Sequence, residues 1–193
     1  MTHEIKTKKE KKFDTSPFQV DWLTLNTSDC QQKIGICSLP GCCFKDSWRD
    51  INFDIECLKQ DGVQDIFCLC TNGEFYRYRT KDILDKYRES GFSVHHYPIE
   101  DGNVPAFDEV IQIIEDISVC LKAMRKTIIH CYGGFGRSCT IVACLVMALN
   151  DTISHEEAAR KLKELKGNRA INSVKQYNFV TEFPTLFNEY KQK

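Results

Sequence analysis

The sequence predicts one α/β domain in which helices flank a central, mainly parallel β-sheet. Its 193 residues suit a single domain with a substantial core, and not two domains. Short β-rich runs alternate with segments of helical periodicity, which is the pattern of α/β proteins. Residues 141–149 are apolar on nearly every side, so the helix that contains them is expected at the centre of the domain.

The strands are predicted from runs rich in β-branched and aromatic residues that end at turn residues. In chain order they cover residues 18–25, 33–38, 63–70, 92–99 and 127–130. The third run is apolar almost throughout, which is typical of a parallel strand buried on both faces. These strands therefore form the expected sheet.

The helices are predicted from apolar residues that recur every three or four positions. They cover residues 49–60, 80–90, 105–124 and 137–149, and two C-terminal segments that begin at Ser154 and Ser173. Each of these serines is followed three residues later by Glu157 or Gln176, which is the signature of a capping box. Pro184 lies inside the last segment and is expected to kink or split that helix.

The chain is expected to divide into a disordered tail, residues 1–16, and one folded domain, residues 17–193. Five lysines crowd the start of the chain, and a solvated arm explains them better than a nuclear-import signal. No apolar stretch opens the chain, and residues 141–149 are too few to span a bilayer, so we expect neither a signal peptide nor a membrane partner.

The composition limits the cellular compartment and the kinds of partner that are expected for this protein. Eleven cysteines in a chain without a visible signal peptide suggest free thiols in a reducing compartment, so we expect a cytoplasmic protein, with the nucleus as a second location. The close cysteine pairs, Cys42-Cys43 and Cys68-x-Cys70, lack the two-residue gap of common zinc knuckles, so no metal or other cofactor is expected. The balance of 26 basic and 27 acidic residues argues against a nucleic-acid partner. We expect a monomer.

The most informative part of the chain runs from a strand into a helix and reads Ile129-His130-Cys131-Tyr132-Gly133-Gly134-Phe135-Gly136-Arg137-Ser138. Its three glycines allow positive φ, so successive backbone N–H groups can converge on one centre. The following helix adds unpaired N–H groups and a dipole that favours an anion. Arg137 offers a planar fork for two phosphate oxygens, and Cys131 lies in the same positive field, which favours a thiolate. The segment predicts a phosphate cradle with a nucleophile at its base.

A buried strand cysteine before an ordinary glycine turn is the competing interpretation, but it leaves His130, Arg137 and Ser138 as coincidences at fixed offsets. The pattern His-Cys, two residues, Gly, two residues, Arg-Ser resembles the signature of the dual-specificity cysteine-based protein phosphatases. The resemblance implies that fold, an attack by Cys131 on phosphorus, and phosphoryl oxygens held by Arg137. It also implies that Ser138 stabilises the leaving thiolate and that His130 orients the loop. The substrate-binding residues would then be Tyr132, Gly133, Gly134, Phe135 and Gly136.

Asp101 is the candidate proton donor for the leaving group. It follows a predicted strand, so a parallel sheet brings it to the same edge as Cys131, and Gly102 lets its loop bend. Asp101 lies 30 residues before Cys131, as the general-acid aspartate does in the family that the signature resembles. An ordinary turn aspartate in Asp-Gly is the competing explanation, and Glu100 is the alternative acid.

Gln176 has two competing roles. In related phosphatases, a glutamine near the start of a late helix helps to position the water that hydrolyses the phosphocysteine. Gln176 is also the third residue of the capping box that begins at Ser173. Both roles remain open at this point.

Cys70 ends the predicted strand of residues 63–70, as Cys131 follows the strand of residues 127–130. If these strands are parallel neighbours, both sulfurs lie near one edge of the sheet. We hypothesise that Cys70 is a redox partner that forms a reversible disulfide with Cys131 and protects the thiolate from irreversible oxidation. The competing interpretation is that Cys70 only fills core volume.

A resemblance to one branch of this family extends over nearly everything from about residue 18 onward. Segments that carry it include Leu39-Pro40-Gly41-Cys42, Gln64-Asp65-Ile66-Phe67, Asp151-Thr152-Ile153-Ser154 and Lys175-Gln176-Tyr177-Asn178. They resemble the kinase-associated dual-specificity phosphatases, from which the lysine-rich tail departs. The resemblance implies hydrolysis of phosphothreonine, phosphoserine or phosphotyrosine. It further implies a phosphorylated cyclin-dependent kinase as partner, with its activation-segment phosphothreonine as the substrate, and docking of the kinase by residues 173–190.

Other functions of such a loop remain open. A phosphoinositide phosphatase would gain from lysines where this chain has the neutral aromatic residues Tyr132 and Phe135. An RNA 5′-phosphatase uses the same chemistry, but the near-zero net charge disfavours a long nucleic-acid track. A phosphoprotein-binding pseudophosphatase usually lacks the cysteine, the arginine or the acid, and this chain has all three.

Overall fold

The computed structural model describes residues 12–25, 32–45 and 47–192. Its strands are β1 Asp21–Thr24, β2 Lys33–Cys37, β3 Cys43–Phe44, β4 Ser47–Trp48, β5 Asp65–Cys68, β6 Ser93–His96 and β7 Thr127–His130. Its helices are α1 Ile51–Gln60, α2 Asn72–Arg77, α3 Ile83–Glu89, α4 Phe107–Lys122, α5 Gly136–Leu149, α6 His155–Lys166 and α7 Val174–Lys191. Strands alternate with helices through most of the chain, so the predicted α/β class is confirmed.

The main sheet has the strand order β1-β2-β7-β5-β6, and every neighbouring pair in it is parallel except β1 with β2. The prediction of a mainly parallel sheet is therefore confirmed. In the registers around the central strand β7, His130 pairs with Cys37 of β2 on one side and with Cys68 of β5 on the other. The carboxyl ends of the three middle strands thus lie level, and residue 131 leaves the sheet between its neighbours.

The sheet separates two hydrophobic clusters because successive strand residues point to opposite faces. In β7, Ile129 packs into a cluster with α4 and α5, whereas Ile128 packs into a cluster that includes residues of α1 and α3. Helix α5 is buried from Gly136 to Met147. This confirms the expectation that it lies at the centre of the domain, and it places the start of α5 directly behind the predicted cradle.

Three features differ from the sequence-based expectations. Helix α2 and the β3–β4 hairpin were not predicted, because six and two residues are too short to show a period. Helix α7 runs through Pro184 from Val174 to Lys191, so of the two expectations for Pro184 the split is wrong and the kink stays a prediction. The predicted strand of residues 127–130 has the observed bounds, but the other four are longer than the observed ones, because neighbouring loop residues are also apolar and buried, as Leu69 and Cys70 are.

The folded domain begins earlier than the predicted boundary at residue 17. Asp14 forms an isolated parallel bridge with Arg49, whose guanidinium bonds the Asp14 carboxylate at 3.0 Å and the Ser16 carbonyl at 2.7 Å. Residues 14–16 are therefore held by the domain rather than belonging to a free tail. The lysines at positions 6–11 lie outside the described residues. Within the described ranges, no helix is both long and apolar enough to cross a membrane.

Candidate active site

The loop between β7 and α5 places Cys131 at the carboxyl edge of the sheet. The Cys131 thiol is almost fully buried and donates to the Phe135 carbonyl across 3.2 Å. Gly134 has φ +68°, and a Cβ there would lie 2.6 Å from the Cys37 carbonyl oxygen, so the neighbouring strand excludes any side chain. Gly136, with φ +36°, starts α5. Gly133 does not take a positive φ, so the expectation of three such glycines holds for two.

Arg137 is held inside the domain rather than extended into solvent. Its Nη1 and Nη2 atoms each donate to one oxygen of Glu74 across 2.7 Å, and Nη1 also donates to the Ile99 carbonyl across 2.8 Å. Burial alone would lower the pKa of Arg137, but its hydrogen bonds to Glu74 and the charges of the nearby cysteines outweigh burial and raise that pKa. The guanidinium is therefore a permanent, fixed cation.

The fork of Arg137 is thus bound to a carboxylate, whereas the sequence predicted that it would hold two phosphate oxygens. Its Nε–H is buried and has no hydrogen-bond partner among the described residues. Nη2 lies 3.3 Å from an oxygen of Asp101. The donors left for a phosphoryl group are therefore Nε and the second hydrogen of Nη2, which still form a bidentate edge.

Glu74 is a site residue that sequence reasoning missed. It lies in α2, where its carboxylate accepts from the backbone N–H of Thr71 across 2.9 Å and the Thr71 hydroxyl in turn caps the N–H of Glu74. Burial alone would raise the pKa of Glu74, but hydrogen bonds from Arg137 and Thr71 outweigh burial and hold the pKa below its usual value. The capping-box pattern Thr71-x-x-Glu74, directly after a predicted strand, was the signal that could have identified it.

Asp101 lies in the turn after β6 and lines the same cavity as Cys131. Its side chain is 77% exposed, and one of its oxygens is 3.3 Å from Arg137 Nη2. The turn is attached to the start of α7, because the Ser173 hydroxyl donates to the Gly102 carbonyl across 2.7 Å. Glu100, the alternative acid, is exposed and is not among the residues that line the cavity.

His130 and Ser138 are fully buried on either side of the loop. The Nε2 atom of His130 lies 3.3 Å from the hydroxyl of Tyr87, and the two rings meet edge to face. This contact fixes the imidazole, in keeping with a role in orienting the loop. The Ser138 hydroxyl has no hydrogen-bond partner among the described residues, so the structure does not show the contact with Cys131 that its predicted role requires.

Gln176 forms the predicted capping box and also lines the cavity. Its Oε1 accepts from the backbone N–H groups of Ser173 and Asn172, each across 3.2 Å. Its Nε2 donates to the Asn103 carbonyl across 3.4 Å. The capping role is therefore confirmed, and the positioning of a catalytic water stays a prediction.

Two aromatic side chains of the loop, Tyr132 and Phe135, line the cavity. Tyr132 stacks on Tyr78 with ring centroids 4.1 Å apart, and burial raises the pKa of Tyr132. Phe135 contacts two cations, with Lys166 Nζ 4.9 Å and the Arg169 guanidinium 4.8 Å from its ring centroid. The cavity has a volume of ≈ 570 Å³, within the range of small-molecule sites.

Cys70 and two neighbours form a cluster of potential metal ligands beneath the loop. Ligand-type atoms of Cys68, Cys70 and His130 lie within 4.8 Å of one another, and none of the three lines the cavity. Burial alone would raise the pKa of Cys68, but hydrogen bonds with Cys70 and the charge of His130 outweigh it and lower that pKa well below its usual value. The disulfide between Cys70 and Cys131 stays a prediction, because both are free thiols here.

Comparison with known proteins identifies close relatives. A sequence model of the family described as cyclin-dependent kinase inhibitor 3 matches residues 2–159. The protein of that name from Homo sapiens is 48% identical over 170 residues, which cover 88% of this chain and 80% of that protein. The protein of the same name from Rattus norvegicus is 46% identical over the same shares.

Solved structures agree with the sequence comparison. A crystal structure of kinase associated phosphatase, in which the catalytic-site cysteine is substituted by serine, matches with a TM-score of 0.87 at 46% identity and covers 91% of this chain and 98% of that one. The active form of Tk-PTP matches with a TM-score of 0.66 at 21% identity and covers 79% of this chain and 91% of that one. At that identity, the second likeness shows the fold alone.

Proposed function

The chain belongs to the cyclin-dependent kinase inhibitor 3 family of cysteine-dependent protein phosphatases, and we propose that it dephosphorylates the activation-segment phosphothreonine of a cyclin-dependent kinase and so regulates the cell cycle. The names of its relatives support the kinase as partner and the phosphatase as activity. The observation that carries the chemistry is the meeting of Cys131, Arg137 and Asp101 at one cavity.

In the first chemical step, the Cys131 thiolate attacks phosphorus and the bond from phosphorus to the threonine oxygen breaks. Arg137 stabilises the charge on the phosphoryl oxygens through its remaining donors, while Glu74 keeps the guanidinium in position. Asp101 gives its proton to the leaving threonine oxygen. Its exposed turn lets it reach a substrate atom that lies above the loop.

In the second step, water attacks the cysteinyl phosphate and the thiolate leaves. Asp101, now ionised, takes a proton from that water. The Ser138 hydroxyl, which has no partner among the described residues, is available to donate to the departing sulfur. Gln176 lies at the cavity where such a water would be held.

A protein substrate is supported by the surface next to the cavity. Val174 and Tyr177, one turn apart at the start of α7, are 76% and 55% exposed. Each directly follows a residue that lines the cavity, Ser173 or Gln176, so a docked protein would contact them while its phosphorylated residue enters. Exposed apolar groups beside a site commonly mark protein contacts.

The first experiment tests the chemistry. The wild-type protein should hydrolyse a small aryl phosphate in the presence of a metal chelator, and Cys131→Ser should abolish that activity without changing the melting temperature. Activity that needs added metal, or that survives Cys131→Ser, would contradict the proposed mechanism.

The second experiment tests the substrate. Asp101→Ala, which slows departure of the threonine oxygen, should retain a cyclin-dependent kinase phosphorylated on its activation segment but not the unphosphorylated kinase. Wild-type protein should remove that phosphate faster than it removes phosphate from a phosphoinositide in vesicles. The opposite preference would favour a lipid phosphatase instead.

The proposed location is the cytoplasm, with the nucleus as a second compartment. Ten cysteines within the described ranges are free thiols, which suits a reducing environment. The protein is proposed to act as a monomer and without binding membranes or nucleic acid. Fractionation of cells and light scattering of the purified protein would test these points.

A further inference from the structure

The catalytic cavity carries a second cation that the hydrolysis of a phosphate does not require. Arg169 lies in the loop between α6 and α7, is exposed, and lines the same cavity as Cys131. The loop turns at Gly167, where φ is +79° and the carbonyl accepts the N–H of Ala170 across 3.0 Å. The turn directs this part of the chain back to the cavity before α7 begins.

Arg169 differs from the other cations near the loop because none of the described carboxylates pairs with it. Arg137 is paired with Glu74, and Lys166 is paired with Asp21 across 2.5 Å. Arg169 forms no ion pair with any described residue, and its guanidinium lies over the Phe135 ring, 4.8 Å from the ring centroid. The positive charge of Arg169 is therefore uncompensated at the wall of the cavity.

The contact with Phe135 holds the guanidinium without using its hydrogen-bond donors. A cation over the face of an aromatic ring is attracted by the ring, while the N–H groups at its edge stay available. Lys166 lies over the same ring, and its side chain is only 7% exposed. Phe135 thus serves as a platform on which Arg169 presents a planar fork suited to a carboxylate or a phosphate.

We propose that Arg169 forms a second anion subsite, which binds an acidic or phosphorylated side chain close in sequence to the phosphothreonine that reacts at Cys131. The inference rests on the proposed protein substrate and specifies its sequence context. The cavity volume of ≈ 570 Å³ leaves room for a neighbouring side chain beside the reacting group. Asp101, the one carboxylate among the cavity-lining residues, is already paired with Arg137, so it does not neutralise Arg169.

The experiment compares phosphothreonine peptides that differ only at the positions within two residues of the phosphothreonine. One set has alanines there, a second has a single glutamate, and a third has a single phosphoserine. For the wild-type protein, kcat/KM should be about five- to tenfold higher for the best acidic peptide than for the alanine peptide, as expected of one exposed charge-assisted contact. The difference should lie mainly in KM and should shrink at high salt.

The substitution Arg169→Gln should reduce the ratio of kcat/KM values between acidic and alanine peptides to about one. Arg169→Lys keeps the charge but loses the fork, and should retain part of the ratio. The matched control is Arg160→Gln, because Arg160 is an exposed arginine of α6 that pairs with Glu164 instead of facing the cavity. This control should keep the wild-type ratio.

A wild-type ratio near one, or a ratio unchanged in Arg169→Gln, would overturn the second subsite while leaving the phosphatase function intact. A different result would overturn the proposed protein substrate. In that case the wild-type protein would hydrolyse a phosphoinositide in vesicles but none of the phosphothreonine peptides and not the phosphorylated kinase. The two failures are therefore distinguishable.

Discussion

The floor and the rim of the cavity are built in different ways. The floor, defined by Cys131, Gly134 and Arg137 with Glu74, is almost entirely buried and is held by the central strand, the start of α5 and a bidentate ion pair. The rim, defined by Asp101, Arg169 and Ser173, consists of loop residues, and Asp101 is 77% exposed. A hydrogen bond from the Ser173 hydroxyl to the Gly102 carbonyl links the two segments of the rim, the Asp101 turn and the start of α7.

This difference indicates that the floor carries out the reaction and that the rim determines which substrate binds. Residues of the floor cannot move without disturbing the core, so they can hold a phosphoryl group in one geometry, as preorganised catalysis requires. Residues of the rim can change with little effect on folding, so they can adapt to a substrate. Substitutions that break the buried Arg137–Glu74 pair of the floor should therefore alter both activity and stability, whereas substitutions of the exposed rim side chains Asp101 and Arg169 should alter activity with little effect on stability.

The largest effect is expected in the floor, from Arg137→Lys. Lysine keeps the charge but cannot bind both oxygens of Glu74 and a phosphoryl group at once, so kcat/KM should fall about 10³-fold. Thermal denaturation should show a lower melting temperature. Arg125→Lys is the matched control, since Arg125 pairs with Asp65 at the other end of the sheet. If Arg137→Lys lost no more activity than Arg125→Lys, the floor would not be the phosphate site.

The rim substitution with the largest effect should be Asp101→Asn. Loss of the proton donor should lower kcat for an alkyl phosphate about 10²-fold. The melting temperature should stay constant, because the side chain is mostly exposed. Glu100→Gln serves as the control, and a loss of activity there instead would reassign the acid to Glu100.

Glu74→Gln tests whether the floor also stabilises the fold. The substitution leaves the buried Arg137 charge without its partner, which costs about 3 kcal/mol of unfolding free energy, and kcat/KM should fall about tenfold through misplacement of the guanidinium. Equal stability of variant and wild type at neutral pH would contradict the importance of this ion pair.

The same pair predicts a pH dependence. The folded-state pKa of Glu74 lies below its usual value of 4.5, so its stabilising contribution is fully present above pH 4.5 and is lost as pH falls through the lower, folded-state pKa. Chemical denaturation between pH 7 and pH 3 should show that the free energy of unfolding of the wild type falls as Glu74 becomes protonated. The difference in unfolding free energy between the wild type and Glu74→Gln should therefore become smaller as pH falls below 4.5. A difference in unfolding free energy that does not change with pH would contradict the stabilising role of ionised Glu74.

The smallest effect is expected from Ser173→Ala in the rim. The Ser173 hydroxyl caps α7 and holds the Asp101 turn at Gly102, so its loss should cost about 1 kcal/mol of stability and lower kcat two- to threefold. Ser154→Ala is the matched control because Ser154 caps α6 without touching that turn. Equal kcat values in the two variants would show that the hydrogen bond from Ser173 to Gly102 is not needed to position Asp101.

The comparison also explains what the sequence could predict. Apart from Glu74, the floor lies in one continuous segment, residues 130–138, where spacing alone specifies a strand, a glycine turn and a helix start. Glu74 was missed because it lies 63 residues from Arg137 in sequence, in a helix too short to show periodicity. Arg169 was missed because it lies in a loop, and nothing in local sequence reveals which cavity a loop lines.

The central claim is that the Cys131 sulfur bonds to phosphorus during turnover. The most direct measurement is rapid acid quench of wild-type protein mixed with a radiolabelled aryl phosphate, followed by mass spectrometry of the labelled peptide. The account predicts a phosphoryl group on Cys131 that forms and decays at rates compatible with turnover. Turnover without any protein-bound phosphate, or with the label on another residue, would contradict it.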